Sequence, residues 1–530
     1  MMIMKGKVFF WFMALMSVSC SKEEIHSERD IDYTYGRDLS HQMIVLGKRL
    51  ENPYKTSNIA KAMANLYPTK ADRVEVVPTD LYVRFLPADE QECDILEGLG
   101  LELTDHPLDY DIAVEGDWYH DPEVPDTDVT WQYAVVPRDF RFPDIQYEII
   151  DECHIAEHLP SSKTSCDGID WEAVEQEAYR ITGNASRLAP QTRASSKTAP
   201  SGRITIVDRH CNGGKPFGVA GVKVVCNSFV KFDQTYTDRD GYYSMSRKYS
   251  SKLRYRLVFK NQKGFSIGFN LILVPASVST LGKAGPEGVN VTITETSETK
   301  LFRRCVVNNA AYEYYSRCSS EDMGIAPPPS DLRFWLFEKF SASSAVMLHH
   351  GTVLTGGKIG AFLGKFAPIV EYFLPDITIG MQDNESYRDL YSAVCHELAH
   401  ASHFVKAGKA YWNSYIYYIV ESYLRTGGMT YGDGTLSGAG HCEIGESWAY
   451  YVESKMYKER YGGSFPSFGT SYWFYPQLLR YLDERGVTRA DIYSVLSADV
   501  DSLPELKEAL LRQLPAKRTV IEQVFNRFGR

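Results

Sequence analysis

Residues 388–404, RDLYSAVCHELAHASHF, decide how the C-terminal part of this chain is read. The stretch contains no Pro or Gly, and Leu390, Val394, Leu398, Ala401 and Val405 recur at helical spacing. That spacing predicts an amphipathic helix whose apolar stripe faces a core. His396 and His400 fall on roughly the opposite side. Side chains four residues apart stack one turn above another on a helix, so both imidazoles can aim a nitrogen at the same ion. Asn384 or Ser386 can cap the helix start, and Asp389 stands three residues after Ser386, at capping-box spacing. An HExxH pattern is expected by chance only about 0.02 times in a chain with this histidine content, so it is read first as chemistry.

The chemistry fixes what else is needed. Zinc takes about four ligands, with Zn–N near 2.0–2.1 Å, and a catalytic site keeps one position open for water. Glu397 follows the first histidine, where its carboxylate can serve that water as general base. A third protein donor must come from elsewhere. The longer pattern HExxHxxGxxH is not met, because His403 and Lys406 stand where Gly and His would be. One straight helix does not readily place three donors around one ion, so His403 is expected to be a supporting or surface residue. Glu446, in the stretch HCEIGESWAYYVE at 441–453, is the candidate third ligand. Glu443, one turn earlier, and Asp433, in YGDGTLSG at 431–438, are its rivals. Tyr431 and His441, just before the Glu446 helix, are candidates to stabilise a tetrahedral oxyanion. Cys395 and Cys442 flank the two segments and either form a disulfide or stay as buried thiols.

HELAH followed by Glu446–Ser447–Trp448–Ala449 resembles the gluzincins, in which a glutamate on a later helix completes the HExxH pair. The resemblance implies a zinc metallopeptidase. His396, His400 and Glu446 would be the Zn2+ ligands, Glu397 the catalytic base, and a peptide or protein the substrate. Asp433 would instead imply an aspzincin-type site, but its flanks depart from the GTxDxxYG of that family. The rival function is a non-catalytic surface protein that binds glycan or peptide on a zincin scaffold. The chain has no P-loop and no GxGxxG opening a helix.

Upstream, the composition changes twice. Residues 202–300 carry short alternating runs separated by turn residues, which predict an all-β sandwich. Within it GRITIVD (202–208), GVAGVKVVC (218–226) and TDRDGYYS (237–244) resemble a carboxypeptidase-regulatory-like module, which implies a spacer or binding accessory. Residues 186–201 are polar and non-periodic and read as a linker. Residues 41–185 mix both periods. HQMIVLGKRL, NIAKAMANL and ADEQECDILEGLG read as helices, and TDLYVRFLP, LELTDHPLDY, TWQYAVVP and DIQYEII as strands. The expected fold class is multidomain α+β. A small α+β unit leads, the all-β sandwich follows, and a mainly helical zincin-like region occupies 301–530.

Residues 1–19 carry Lys5 and Lys7, then the apolar run VFFWFMALM, then SVS before Cys20. This resembles a bacterial lipoprotein signal, which implies lipidation of Cys20 and a membrane partner through that lipid. Ser21, Lys22, Glu23 and Glu24 resemble the surface-export signal of Bacteroidetes lipoproteins, and 20–40 reads as a tether. The expected location is extracytoplasmic, at the outer membrane or cell surface. The 57 Lys and Arg against 68 Asp and Glu give a formal charge of −11, and −13 once Lys5 and Lys7 are removed. No net basic face points to nucleic acid. Such a compartment permits disulfides, and Cys153/Cys166 and Cys211/Cys226 are candidate pairs.

Overall fold

The computed structural model describes Cys20–Ser21 and residues 43–529, except 70–74, 126–127, 160–167, 190–196, 270–276, 296–298, 321–322, 339–341, 353–374, 382–384, 428 and 464–471. The expected signal segment and nearly all of the expected tether lie outside the described residues. The chain is multidomain, with most strands in the first 345 or so residues and helices dominating after them. Among the described residues, no helix is long and apolar enough to cross a membrane.

The N-terminal unit is built on a three-stranded antiparallel sheet, β3 (Asp80–Leu86), β5 (Gln132–Pro137) and β6 (Gln146–Cys153), with β3 in the middle. Alternation in β3 sends Leu81, Val83 and Phe85 to one small core and Tyr82 to another. Helix α2 (Glu90–Gly98) covers the first core with Leu96. Helices α1 (Thr56–Leu66) and α3 (Trp171–Ile181) pair through Ile59, Ala62, Met63, Val174 and Ala178. Two readings from local pattern are corrected. HQMIVLGKRL is not a helix; Val45–Arg49 forms strand β2, paired antiparallel with β4 (Tyr110–Val114). LELTDHPLDY is largely irregular before Tyr110, with only Thr104 bridging to Tyr133. Pro107 lacks the N–H that a ladder needs.

Residues 201–293 form two sheets. One runs β10 (Lys231–Tyr236), β9 (Lys223–Ser228), β12 (Leu253–Val258), β14 (Val278–Ala284). The other centres on β7 (Ser201–Ile206), with β11 (Tyr242–Ser244), β15 (Val291–Ile293) and the short β8 (Phe217–Gly218). Leu253, Tyr255 and Leu257 alternate into the interior opposite Ile204 and Ile206. The strand β13 (Ser266–Phe269) leaves this sandwich and pairs in parallel with β16 (Arg333–Glu338) of the C-terminal region. There β18 (Ile377–Met381) is buried along its whole length, as a strand covered on both faces should be. β17 (Ala342–Ala345) pairs with it, and Cys20–Ser21 pairs with Ala342 and Ser343 at that edge.

Sandwich and helical region share one hydrophobic core, running from Ile204 to Phe525. The N-terminal unit keeps two small cores of its own, shares a third with Phe229 and Val230 of the sandwich, and is further clamped to the sandwich by charge. Lys231, fully buried, pairs with Glu157 and Glu175, and Lys197 pairs with the same two carboxylates. Ends of the sequence-read linker are pinned as well, Leu188 to Ser251 and Thr198 to Tyr249.

Three helices carry the C-terminal region: α4 (Thr299–Ser319), α5 (Tyr387–Thr426) and α6 (Ala439–Tyr461). The Asp389 carboxylate accepts from the Ser386 N–H at 3.2 Å and its hydroxyl at 2.6 Å, fixing the start of α5. Leu390, Val394, Leu398 and Ala401 are buried as the periodicity predicts, but Val405 is 46% exposed. The helix is ending there. Gly408, at φ 83° and ψ 172°, breaks α5 into two helical segments and turns the chain. That backbone conformation is essentially restricted to glycine. Gly408→Ala is therefore expected to destabilise the protein by about 1–3 kcal/mol, read as a lower melting temperature. An unchanged melting temperature would show that the break is not strained.

Candidate metal centre

The break at Gly408 folds the second half of α5 back over the first. Trp412 and Tyr415 then lie against His400, with ring centroids 5.7 and 5.6 Å away. Helix α6 packs along the same face. Its approach is close at Gly445, where a Cβ would sit 3.3 Å from a Tyr415 ring carbon and 3.9 Å from the His400 ring. Trp448 also donates its indole N–H to the Ala399 carbonyl at 3.1 Å. These contacts bring Glu446 to the HELAH turn.

The Glu446 carboxylate stands between the two imidazoles. Oε2 is 3.4 Å from His396 Nε2, and Oε1 is 3.6 Å from His400 Nε2. One donor atom from each of the three residues lies within 4.8 Å of the others, and all three side chains are buried. Four donors at about 2.0–2.1 Å from a tetrahedral ion are about 3.3–3.4 Å apart. Each imidazole nitrogen stands close to that distance from one of the two Glu446 oxygens, and this His–His–Glu group could hold a metal ion.

Charges around the group suit a cation. Burial opposes ionisation of Glu446, but His400 and His396 hold its carboxyl down at about 2. Burial also opposes a charge on His396. Glu446 and Glu453 overcome it and raise the imidazole to about 10. His400, deeper and next to His396, is pushed down by burial despite Glu446. The two imidazoles are thus unequal, because Glu453 and Glu397 act on His396 in addition to Glu446.

Glu453 accepts from His396 Nδ1 at 3.0 Å and from the Ser392 hydroxyl. A carboxylate on Nδ1 fixes the tautomer and leaves Nε2 free to ligate. Tyr415 donates its hydroxyl to Glu446 Oε1. Neither Glu453 nor Tyr415 was singled out from the sequence. Glu453 could have been, since it lies two turns after Glu446 on the same helix face and Ser392 lies one turn before His396. Tyr415 carries no such signal, because its position depends on the turn at Gly408.

The other sequence candidates are distributed as follows. Glu397 is 1% exposed, directly after His396, and its charge helps to raise the His396 pKa. Glu443 is buried on α6 but is not among the clustered donors. Asp433 is remote from the cluster chemically, its carboxylate being used by the Thr435 N–H and hydroxyl in a surface turn. Tyr431 packs on Tyr472 and Phe474 and shares a hydroxyl hydrogen bond of 2.9 Å with Tyr450. It is Tyr450, one turn after Glu446, whose ring lies 4.6 Å from His396. His441 stacks on Tyr411 and faces Asp501 at 3.8 Å.

Two expectations are corrected. His403 is not at the surface. It is fully buried between Tyr411 and Trp412, neither ring nitrogen has a hydrogen-bond partner, and burial pushes its pKa down to about 3. The candidate disulfides do not form. Cys153, Cys211, Cys226, Cys395 and Cys442 are all free thiols, and Cys166 lies outside the described residues. Burial raises the Cys395 and Cys442 thiols well above their usual range, so they remain protonated packing groups.

The sequence matches no protein-family model, and no curated protein sequence matches it significantly.

Metal analysis of the purified chain should find about one ion per molecule, and Glu446→Ala should reduce this to near zero. Glu453→Gln should retain the ion with affinity lowered about 10–100-fold in competition with a chelator. Unchanged metal content in Glu446→Ala would remove Glu446 from the ligand set.

Proposed function

We propose that this chain is a zinc-dependent metallopeptidase, held outside the cytoplasm by lipid on Cys20, that hydrolyses peptide bonds of a peptide or protein substrate. The observation that carries this reading is the His396–His400–Glu446 donor set with Glu397 beside it. Zinc suits two imidazoles and one carboxylate, though other divalent ions accept the same donors. When bound there, zinc would act as a Lewis acid on water and on the scissile carbonyl.

The residues of the chain do the rest. Glu397 takes a proton from the attacking water, whose oxygen bonds to the carbonyl carbon. As the C–N bond breaks, Glu397 delivers that proton to the leaving nitrogen. Glu453 keeps His396 in the ligating tautomer, and Tyr415 holds the Glu446 carboxylate in orientation. The linked hydroxyls of Tyr431 and Tyr450 are the candidates to donate to the developing oxyanion. His441, the other sequence candidate, fills that role less well, because its ring is engaged with Tyr411 and Asp501.

A second reading has its own observation. His400 and Glu446 are fully buried and Glu397 nearly so, which favours a structural metal in a scaffold that binds glycan or peptide without turnover. Glu397→Gln separates the two. It should abolish cleavage of a peptide library, followed by mass spectrometry, while leaving metal content unchanged. Wild-type protein that is fully loaded with zinc yet cleaves nothing supports the scaffold instead. For the anchor, Cys20→Ala should lose incorporation of labelled fatty acid and move the protein out of the membrane fraction. Retained labelling would place the lipid elsewhere.

A further inference from the structure

The run LRYRLV in β12 alternates, so Arg254 and Arg256 point away from the core that takes Leu253, Tyr255 and Leu257. Such residues on a sandwich face are expected in water. Here they are 7% and 4% exposed, because the N-terminal unit covers this side of the sheet. Between the two bodies lies a cavity of about 570 Å³, within the size range of small-molecule sites. It is lined by the sandwich and the N-terminal unit, with Arg304 of α4, and has no residue in common with the metal centre.

Most of its charges are matched one to one. Lys223 pairs with Glu102 and Lys260 with Glu97. Arg304 pairs with Asp117 at 2.8 Å, and Arg254 with Glu115 at 3.0 Å. Asp105 accepts from the Tyr119 N–H and from His106 Nδ1. Burial, with Arg254 alongside, outweighs Asp105 and pushes His106 down to about 4, so its Nε2 accepts from Arg254 at 2.6 Å. His106 is part of this wall.

Arg256 is the exception. Among the described residues it forms no ion pair, its Nε has no hydrogen-bond partner, and its one hydrogen bond is a long one of 3.4 Å to Asn227. Phe232 lies beneath the guanidinium at 5.9 Å. Burial and the adjacent Arg254 make this charge unfavourable, drawing its pKa down to about 10. A buried guanidinium whose five N–H donors are nearly all available is geometrically suited to a planar or tetrahedral oxyanion.

We propose that the cavity between the N-terminal unit and the sandwich is a binding site for a small oxyanion-bearing molecule, a carboxylate or a phosphate, seated on Arg256. The site stands independently of the metallopeptidase reading. Titration calorimetry of the full chain with succinate and with inorganic phosphate tests it. At least one should bind, and which one does distinguishes a carboxylate from a phosphate ligand. Arg256→Gln should weaken that binding about tenfold or more, the scale of a charge-assisted contact, without lowering the melting temperature of the ligand-free protein. No binding of either probe, or equal binding by Arg256→Gln, would overturn the proposal and leave a cavity holding water only. Should the variant fail to fold, crystals of the wild-type chain soaked in selenate should show an anomalous peak within hydrogen-bond distance of Arg256. Absence of that peak would equally overturn it.

Discussion

A carboxylate with no exposed surface lies between two imidazoles in the core of this protein, and much of the C-terminal architecture follows from that. An ionised Glu446 would be very unfavourable there without compensation. Compensation comes from His396 and His400 at 3.4 and 3.6 Å and from the Tyr415 hydroxyl. Supplying those partners requires α5 to reverse at Gly408, α6 to approach over Gly445, and Trp448 to bond the Ala399 carbonyl. Each of these is a feature of packing, and each has the effect of fixing donor atoms. Rigid placement by helices, supported by a further layer of hydrogen bonds through Glu453 and Ser392, is what a metal site needs.

A similar balance of buried charge operates at the other end of the chain. The N-terminal unit meets the sandwich over a small apolar contact at Phe229 and Val230 and is otherwise joined to it through paired charges. Lys231, Glu175 and Lys197 lie on one side of that contact, and the cavity with its arginines lies on another part of it. An apolar contact alone would hold the two bodies with less specificity. Ion pairs fix register, because a displaced partner leaves an uncompensated charge. One arginine left without a partner in such a setting is therefore informative in a way that a surface arginine is not.

The sequence was most legible where a period and a chemical requirement coincided. HELAH, its apolar stripe and Ser386/Asp389 identified the helix, two of the three clustered donors and the helix start. Glu446 was legible because its helix carries Trp448 and Ala449 on neighbouring positions. Legibility failed where a residue's environment is made by a distant segment. Val45–Arg49 reads as helix until Tyr110–Val114 supplies a ladder. His403 reads as either a supporting or a surface residue until the turn at Gly408 places Tyr411 and Trp412 over it. Cysteine spacing suggested cross-links, and the described thiols are instead packed apart as small apolar groups.

The pairing of β13 with β16 bears on how this protein is made. Ser266–Phe269 finds its parallel neighbour only at Arg333–Leu336, with the whole of α4 between them. A chain emerging from its N-terminus first will therefore present a strand edge that waits for later residues. Parallel pairings of this separation form slowly, and an open edge in the meantime invites association with other chains. The sheet that β13 enters is thus not finished when the last strand of the sandwich has been synthesised. Its completion belongs to the same event that closes the region carrying the His–His–Glu group, so the two regions should gain and lose structure together.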